Sequence, residues 1–123
     1  MEKIVKNPSF EQAEEILDEY LKRNYTVQVN GLCMVNYQGR AKSKLDKGER
    51  LVIKKQDSAI LVHGPDNYQP KNWQPEVDSY TVKADEEELI LKAKRTNPDE
   101  VVEIRFEEID LLTVDQLVDE SDL

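Results

Sequence analysis

Tyr25-Thr26-Val27-Gln28-Val29-Asn30-Gly31-Leu32-Cys33-Met34-Val35-Asn36-Tyr37-Gln38-Gly39 decides the fold class. Tyr25, Val27 and Val29 alternate with Thr26, Gln28 and Asn30, the period-two pattern of a half-buried strand. Asn30-Gly31 reads as a two-residue hairpin turn, because both residues tolerate positive φ. A second strand is expected over about 32–38, with Cys33, Val35 and Tyr37 on one face, and Gly39 breaks it.

Before this stretch the period is helical. Asn7-Pro8-Ser9 supplies a cap, and Gln12 three residues after Ser9 suggests a capping box. Phe10, Ala13, Ile16, Leu17, Tyr20 and Leu21 recur at helical spacing, predicting one amphipathic helix over about 8–23. Its polar face is acidic and would repel phosphate. Residues 1–6 read as a tail or an edge strand.

After Gly39, residues 40–49 read as a polar excursion. Strands are expected to begin at Leu51-Val52-Ile53 and to run from Ala59 to His63, with turns at Gln56-Asp57-Ser58 and Gly64-Pro65-Asp66-Asn67. Pro70 and Pro75 bar residues 68–78 from being an ordinary central strand. Further strands are expected near 79–84, 88–95 and 100–107. The fold class is therefore mainly β with one N-terminal helix (α+β), a small antiparallel barrel or sandwich. Three segments are expected: 1–24 as a helical flank, 25–107 as the β-barrel, and 108–123 as an acidic C-terminal segment or linker. The run from 107 has seven acids and no base, yet Ile109, Leu111, Leu112, Leu117 and Val118 suggest that it docks.

The 123 residues carry a net charge of −9, which taken alone opposes binding a polyanion. The distribution is polarised. Residues 40–73 hold eight basic and four acidic residues, a local +4, while the remainder holds nine basic and 22 acidic. That basic block contains the single Trp and the single His. It reads either as a binding face or as a lysine-rich strand face kept soluble.

Cys33 is the only cysteine, so no intrachain disulfide forms, and with no Cys/His cluster no zinc site is expected. His63 at a strand end reads as structural. No nucleophile with a paired base and no phosphate-cradling glycine loop is evident, so no enzyme is expected from these residues, and no cofactor. No apolar run is long enough to span a bilayer, and MEKIVKNP lacks a signal-peptide core. A cytoplasmic protein without membrane partners is expected.

Gly39-Arg40 reads as a close-approach glycine with a phosphate-binding or base-stacking arginine, or as a plain turn with a surface arginine. Asn72-Trp73, between two prolines, reads as a base-reading and stacking pair, or Trp73 as a plug in one end of the barrel.

The order Cys-x-Val-x-Tyr-x-Gly-Arg-Ala-x-Ser-x-Leu from Cys33 to Leu45, then Gly48 to Ile53, Leu61 to Gly64 and Asn72 to Pro75, resembles the N-terminal domain of the NucS/EndoMS mismatch-specific DNA endonucleases. Asn7-Pro8-Ser9-Phe10 and Arg95-Thr96-Asn97-Pro98 resemble it too, and the likeness covers about residues 7–112. It implies a half-open β-barrel that binds DNA and contributes to a homodimer; the expected DNA partner is a mismatched duplex or a single strand. By residue matching it implies that Arg40, Asn72 and Trp73 hold a base drawn out of the stack, with Tyr37 and Gly39 shaping the pocket. Lys42 and Lys71 flank these groups as expected DNA contacts. Gln56-Asp57-Ser58 stands where the family usually has Pro-Asp-Gly. The resemblance also implies a separate C-terminal nuclease fold with a divalent metal, which these residues do not match. The chain is thus expected to bind without cutting, as an excised domain or a stand-alone protein, with a nuclease domain or another repair protein acting in trans. The alternatives are a protein-interaction module and a small barrel that binds single strands or RNA.

Overall fold

The computed structural model describes residues 2–119 and residue 121. Helix α1 spans Phe10–Tyr20. Ser9 caps it by accepting a hydrogen bond from the Gln12 amide at 3.0 Å, which satisfies one of the orphan donors of the first turn. Ala13, Leu17 and Tyr20 form its buried stripe. The regular helix ends three residues short of Arg23, closed by the Leu21 amide on the Leu17 carbonyl.

Eight strands follow the expected class: β1 Lys3–Lys6, β2 Thr26–Gln38, β3 Lys42–Lys54, β4 Ile60–His63, β5 Asn72–Gln74, β6 Ser79–Ala84, β7 Leu89–Arg95 and β8 Glu100–Asp115. All pair antiparallel, in the order β5-β4-β3-β2-β8-β7-β6, with β1 beside β8.

The expected hairpin at Asn30-Gly31 is not formed. β2 is one strand of 13 residues, and no glycine in the chain has positive φ. Gly31 serves close approach instead: a Cβ there would lie 2.1 Å from the Glu108 carbonyl oxygen of β8. The pairing shifts register at Asn30/Gly31 and Leu32/Cys33 against β8, and at Cys33/Val35 against β3. Such bulges bend a strand and raise its twist, so the long central strands curl. The polar excursion expected over 40–49 is likewise strand, the first half of β3, and the β2–β3 turn is Gly39–Ala41. Residues from 108 continue β8 to Asp115, with Ile109, Leu112 and Val114 buried in the core.

The inner face carries Val27, Val29, Cys33 and Val35 of β2 against Val52, Val62, Leu91, Ile104 and Phe106, all nearly inaccessible to solvent, with α1 sealing one side. Cys33 is a buried free thiol. The outermost strands of the curl, β5 and β6, do not pair with each other. Their gap is bridged by side chains: Ser58 Oγ donates to the Val77 carbonyl, and the Tyr80 hydroxyl donates to the Ser58 carbonyl at 2.6 Å. The barrel is half open. The outer face carries a row across six strands, Trp73, Leu61, Ile53, Gln28, Thr113 and Ile4. Among the described residues no helix is long and apolar enough to cross a membrane.

Candidate nucleic-acid interface

Tyr37 lies near the end of β2, on the same face as Val35. Its hydroxyl donates to Glu100 Oε2 at 2.9 Å. Partial burial, followed by the Glu100 bond and charge, pushes the phenol above its ordinary range, so it remains a donor. Gly39 rests directly on this pair: a Cβ there would meet Tyr37 Oη at 2.3 Å and Glu100 Cγ at 3.1 Å. A larger residue there would have to displace the Tyr37 ring. Its amide donates to the Ala41 carbonyl at 3.0 Å, and Arg40 projects from this turn into solvent, followed by the exposed Lys42.

At the other segment, the Lys71 amide donates to the Val62 carbonyl at 2.7 Å, starting the pairing of β5 with β4. Pro70 and Pro75 bound a strand of three residues, as expected for an edge. The Lys71 stem folds across Gly64, where a Cβ would meet Lys71 Cε at 2.4 Å. Trp73 is 61% exposed, opposite Leu61 on the outer face, and is not a barrel plug. Strand alternation turns Asn72 and Gln74 to the inner face. Asn72 Oδ1 is buried with no hydrogen-bond partner. The Asn-Trp pair thus presents its two side chains to opposite faces of one edge strand.

The register does not make the two segments neighbours in the sheet. Tyr37 opposes Ser43 while Trp73 lines up through Leu61 with Ile53, ten residues further along β3. They are connected the other way round the curl. Arg95, at the end of β7, places Nη1 3.9 Å from Glu100 Oε1 and Nη2 3.4 Å from Glu76 Oε2. Glu76 lies three residues after Trp73 in the crossing from β5 to β6. The next turn is tied to the same crossing: the Thr96 amide and hydroxyl donate to Asp78 Oδ2 at 2.6 and 2.8 Å. Those two bonds hold the Asp78 carboxyl below its usual range. Arg95 and Glu100 were not legible as site residues. The one signal was the Arg95-Thr96-Asn97-Pro98 string in the family likeness.

The basic block is smaller than its composition. Lys54 is 2% exposed and donates to the carbonyls of Arg23 and Tyr25. Burial lowers its pKa, against the pull of Asp57. Arg50 donates to the Cys33 and Asp46 carbonyls at 2.7 and 2.5 Å. Lys47 pairs with Glu107 at 2.9 Å and Lys44 with Asp46 at 3.8 Å. Arg40, Lys42, Lys55 and Lys71 make no ion pair among the described residues and remain available to an anion. Among the described residues no three His, Cys, Asp or Glu side chains gather as metal ligands.

Comparison with known proteins gives a consistent family. Residues 23–122 match the family model described as the endonuclease NucS N-terminal PH-like domain. The endonuclease NucS of Pyrococcus horikoshii is 35% identical over 116 residues, 93% of this chain and 44% of that protein. That of Methanocaldococcus jannaschii is 35% identical over 103 residues, 84% of this chain and 39% of that protein. The chain therefore spans less than half the length of these relatives. A solved EndoMS complex with double-stranded DNA superposes with a TM-score of 0.89 at 29% identity, covering 99% of this chain and 51% of that one. A repair endonuclease from Pyrococcus abyssi superposes with a TM-score of 0.78 at 34% identity, covering 97% of this chain and 51% of that one. Together with the curled sheet that these sequences share, the match shows that the chain belongs to the family of endonuclease NucS N-terminal domains.

Proposed function

We propose that this chain is a DNA-binding and dimerisation domain that holds duplex DNA with one base drawn out of the stack and does not itself cut it. The observation that carries the reading is the superposition, over 99% of the chain, on an EndoMS structure in complex with double-stranded DNA. The chain's own residues support it. Trp73 offers an exposed ring for stacking. Asn72, on the inner face of the same edge strand, keeps an unpaired buried acceptor. Gly39, packed on Tyr37, presents Arg40, and Lys42 and Lys71 supply exposed positive charge. Extruding a base costs a few kcal/mol, least at a mismatch, and one stacking contact repays about 1–3 kcal/mol.

With a net charge of −9, attraction to DNA is local, so few phosphates are neutralised and the salt dependence is shallow. The second copy is placed on the outer row near Ile4 and Ile53, with Trp73 at its rim. We assign no cofactor to these residues. Nuclease chemistry belongs to a separate domain or to another repair protein, in the cytoplasm.

The test is a titration of the chain with a mismatched duplex, a fully paired duplex and a single strand at two salt concentrations. Preference for the mismatched duplex is expected. Equal affinity for the paired duplex removes the extruded-base reading, tighter single-strand binding replaces it, and no binding ends it. Metal-dependent nicking by a preparation free of other nucleases would refute the non-cutting role.

A further inference from the structure

We infer that Arg95 is a positioning residue, fixing the segment that carries Trp73 relative to the turn that carries Arg40. The inference rests on the proposed function. Arg95 stands between two carboxylates that belong to different parts of the site. Toward one side lies Glu100, whose other oxygen accepts the Tyr37 hydroxyl at 2.9 Å, and Gly39 sits on that pair. Toward the other side lies Glu76, three residues after Trp73. The chain of contacts Gly39, Tyr37, Glu100, Arg95, Glu76 therefore joins the two DNA-facing segments across the open side of the barrel, where β5 and β6 share no ladder.

The links differ in strength. Glu100 and Arg95 side chains are 13% and 23% exposed, so their 3.9 Å pair is shielded, while Glu76 is 81% exposed and its 3.4 Å contact is screened. The Glu76 link gains support from the adjacent tie of Asp78 to Thr96. Arginine suits the position because its rigid planar fork holds two separate nitrogens toward two acceptors at a fixed angle. The two carboxylates also direct the guanidinium along the protein rather than toward phosphate.

The test compares Arg95→Met and Arg95→Lys with the parent, alone and combined with Trp73→Ala. Each is titrated with a short duplex carrying one mismatch at two salt concentrations, and each is melted thermally. Both Arg95 variants should bind about three- to tenfold more weakly, the scale of coupling between contacting groups. The salt slope and the melting temperature should stay close to the parent's, and the loss should vanish in the Trp73→Ala background. Unchanged affinity, or the same loss without Trp73, overturns the inference. So does rescue by lysine with a salt slope reduced in the methionine variant, which marks a direct phosphate contact. If Arg95→Met melts far below the parent, Glu100→Gln takes its place, and parental affinity in that variant overturns the inference. A parent that binds no duplex fails the proposed function itself, and this inference with it. A parent that binds normally beside unaffected Arg95 variants fails the inference alone.

Discussion

Lys54 Nζ donates to the Tyr25 carbonyl at 3.0 Å, beneath the turn that carries the chain from α1 into β2. A second bond from the same ammonium reaches the Arg23 carbonyl. A residue that composition assigns to a binding face thus closes a helix–strand connection. Replacing it by methionine strands two carbonyls but also removes a buried charge. We expect Lys54→Met to lower stability by about 1–3 kcal/mol and to leave DNA affinity nearly unchanged. Urea unfolding and a DNA titration of the same preparation check both halves. A loss of affinity without loss of stability would return Lys54 to the interface.

Gly31→Ala tests the continuous β2. The added Cβ meets backbone, the Glu108 carbonyl at 2.1 Å, so the β2–β8 bulge must shift. Overpacking of this kind costs about 1–3 kcal/mol, read as a lower melting temperature. A neutral substitution would contradict the close approach.

Trp73→Ala separates binding from packing. Because the ring is 61% exposed on a three-residue edge strand, the melting temperature should change little. Binding of mismatched DNA should weaken by about 1–3 kcal/mol. If the variant melts far below the parent while the parent's Trp fluorescence ignores saturating DNA, the stacking role is lost.

Asp78 makes a prediction about acid. Its folded carboxyl is held low by the Thr96 amide and hydroxyl, whereas unfolded aspartate titrates at about 3.9. The folded state therefore binds fewer protons through this window. Its contribution is complete above the unfolded value and is lost as pH falls through the lower folded one. Thermal melts across this range should fall more steeply for the parent than for Asp78→Asn. Parallel curves would remove the linkage.

The outer row predicts association. Sedimentation of the chain at about tens of micromolar, a range that detects weak self-association, should show a dimer. Ile4 is 68% exposed, so Ile4→Glu should disrupt the dimer without unfolding the subunit. A monomeric parent would remove the second copy, and a dimer that survives Ile4→Glu would place it elsewhere.

Much of the fold is local and was therefore legible. Ser9 caps α1 through an amide three residues away. The apolar stripe of α1 and the alternation of Val27, Val29, Cys33 and Val35 name their buried faces, because side-chain direction follows backbone period. Pro70 and Pro75 confined β5 to an edge, since proline withholds a ladder donor. The Gly39-Arg40 and Asn72-Trp73 strings were visible as residue types. What tertiary structure alone decided were the uses that depend on a distant partner. Asn30-Gly31 is as good a turn as any until β8 presses the Glu108 carbonyl against Gly31 and takes the glycine for its missing Cβ. Lys54 is one more surface cation until the end of α1 brings two carbonyls over it. Arg95 and Glu100 are an ordinary charged pair flanking a turn until the curl of the sheet sets them between Tyr37 and Glu76. Periodicity is a property of one strand's backbone, whereas these roles arise from which strands the bulges of β2 bring together, and no local pattern encodes that.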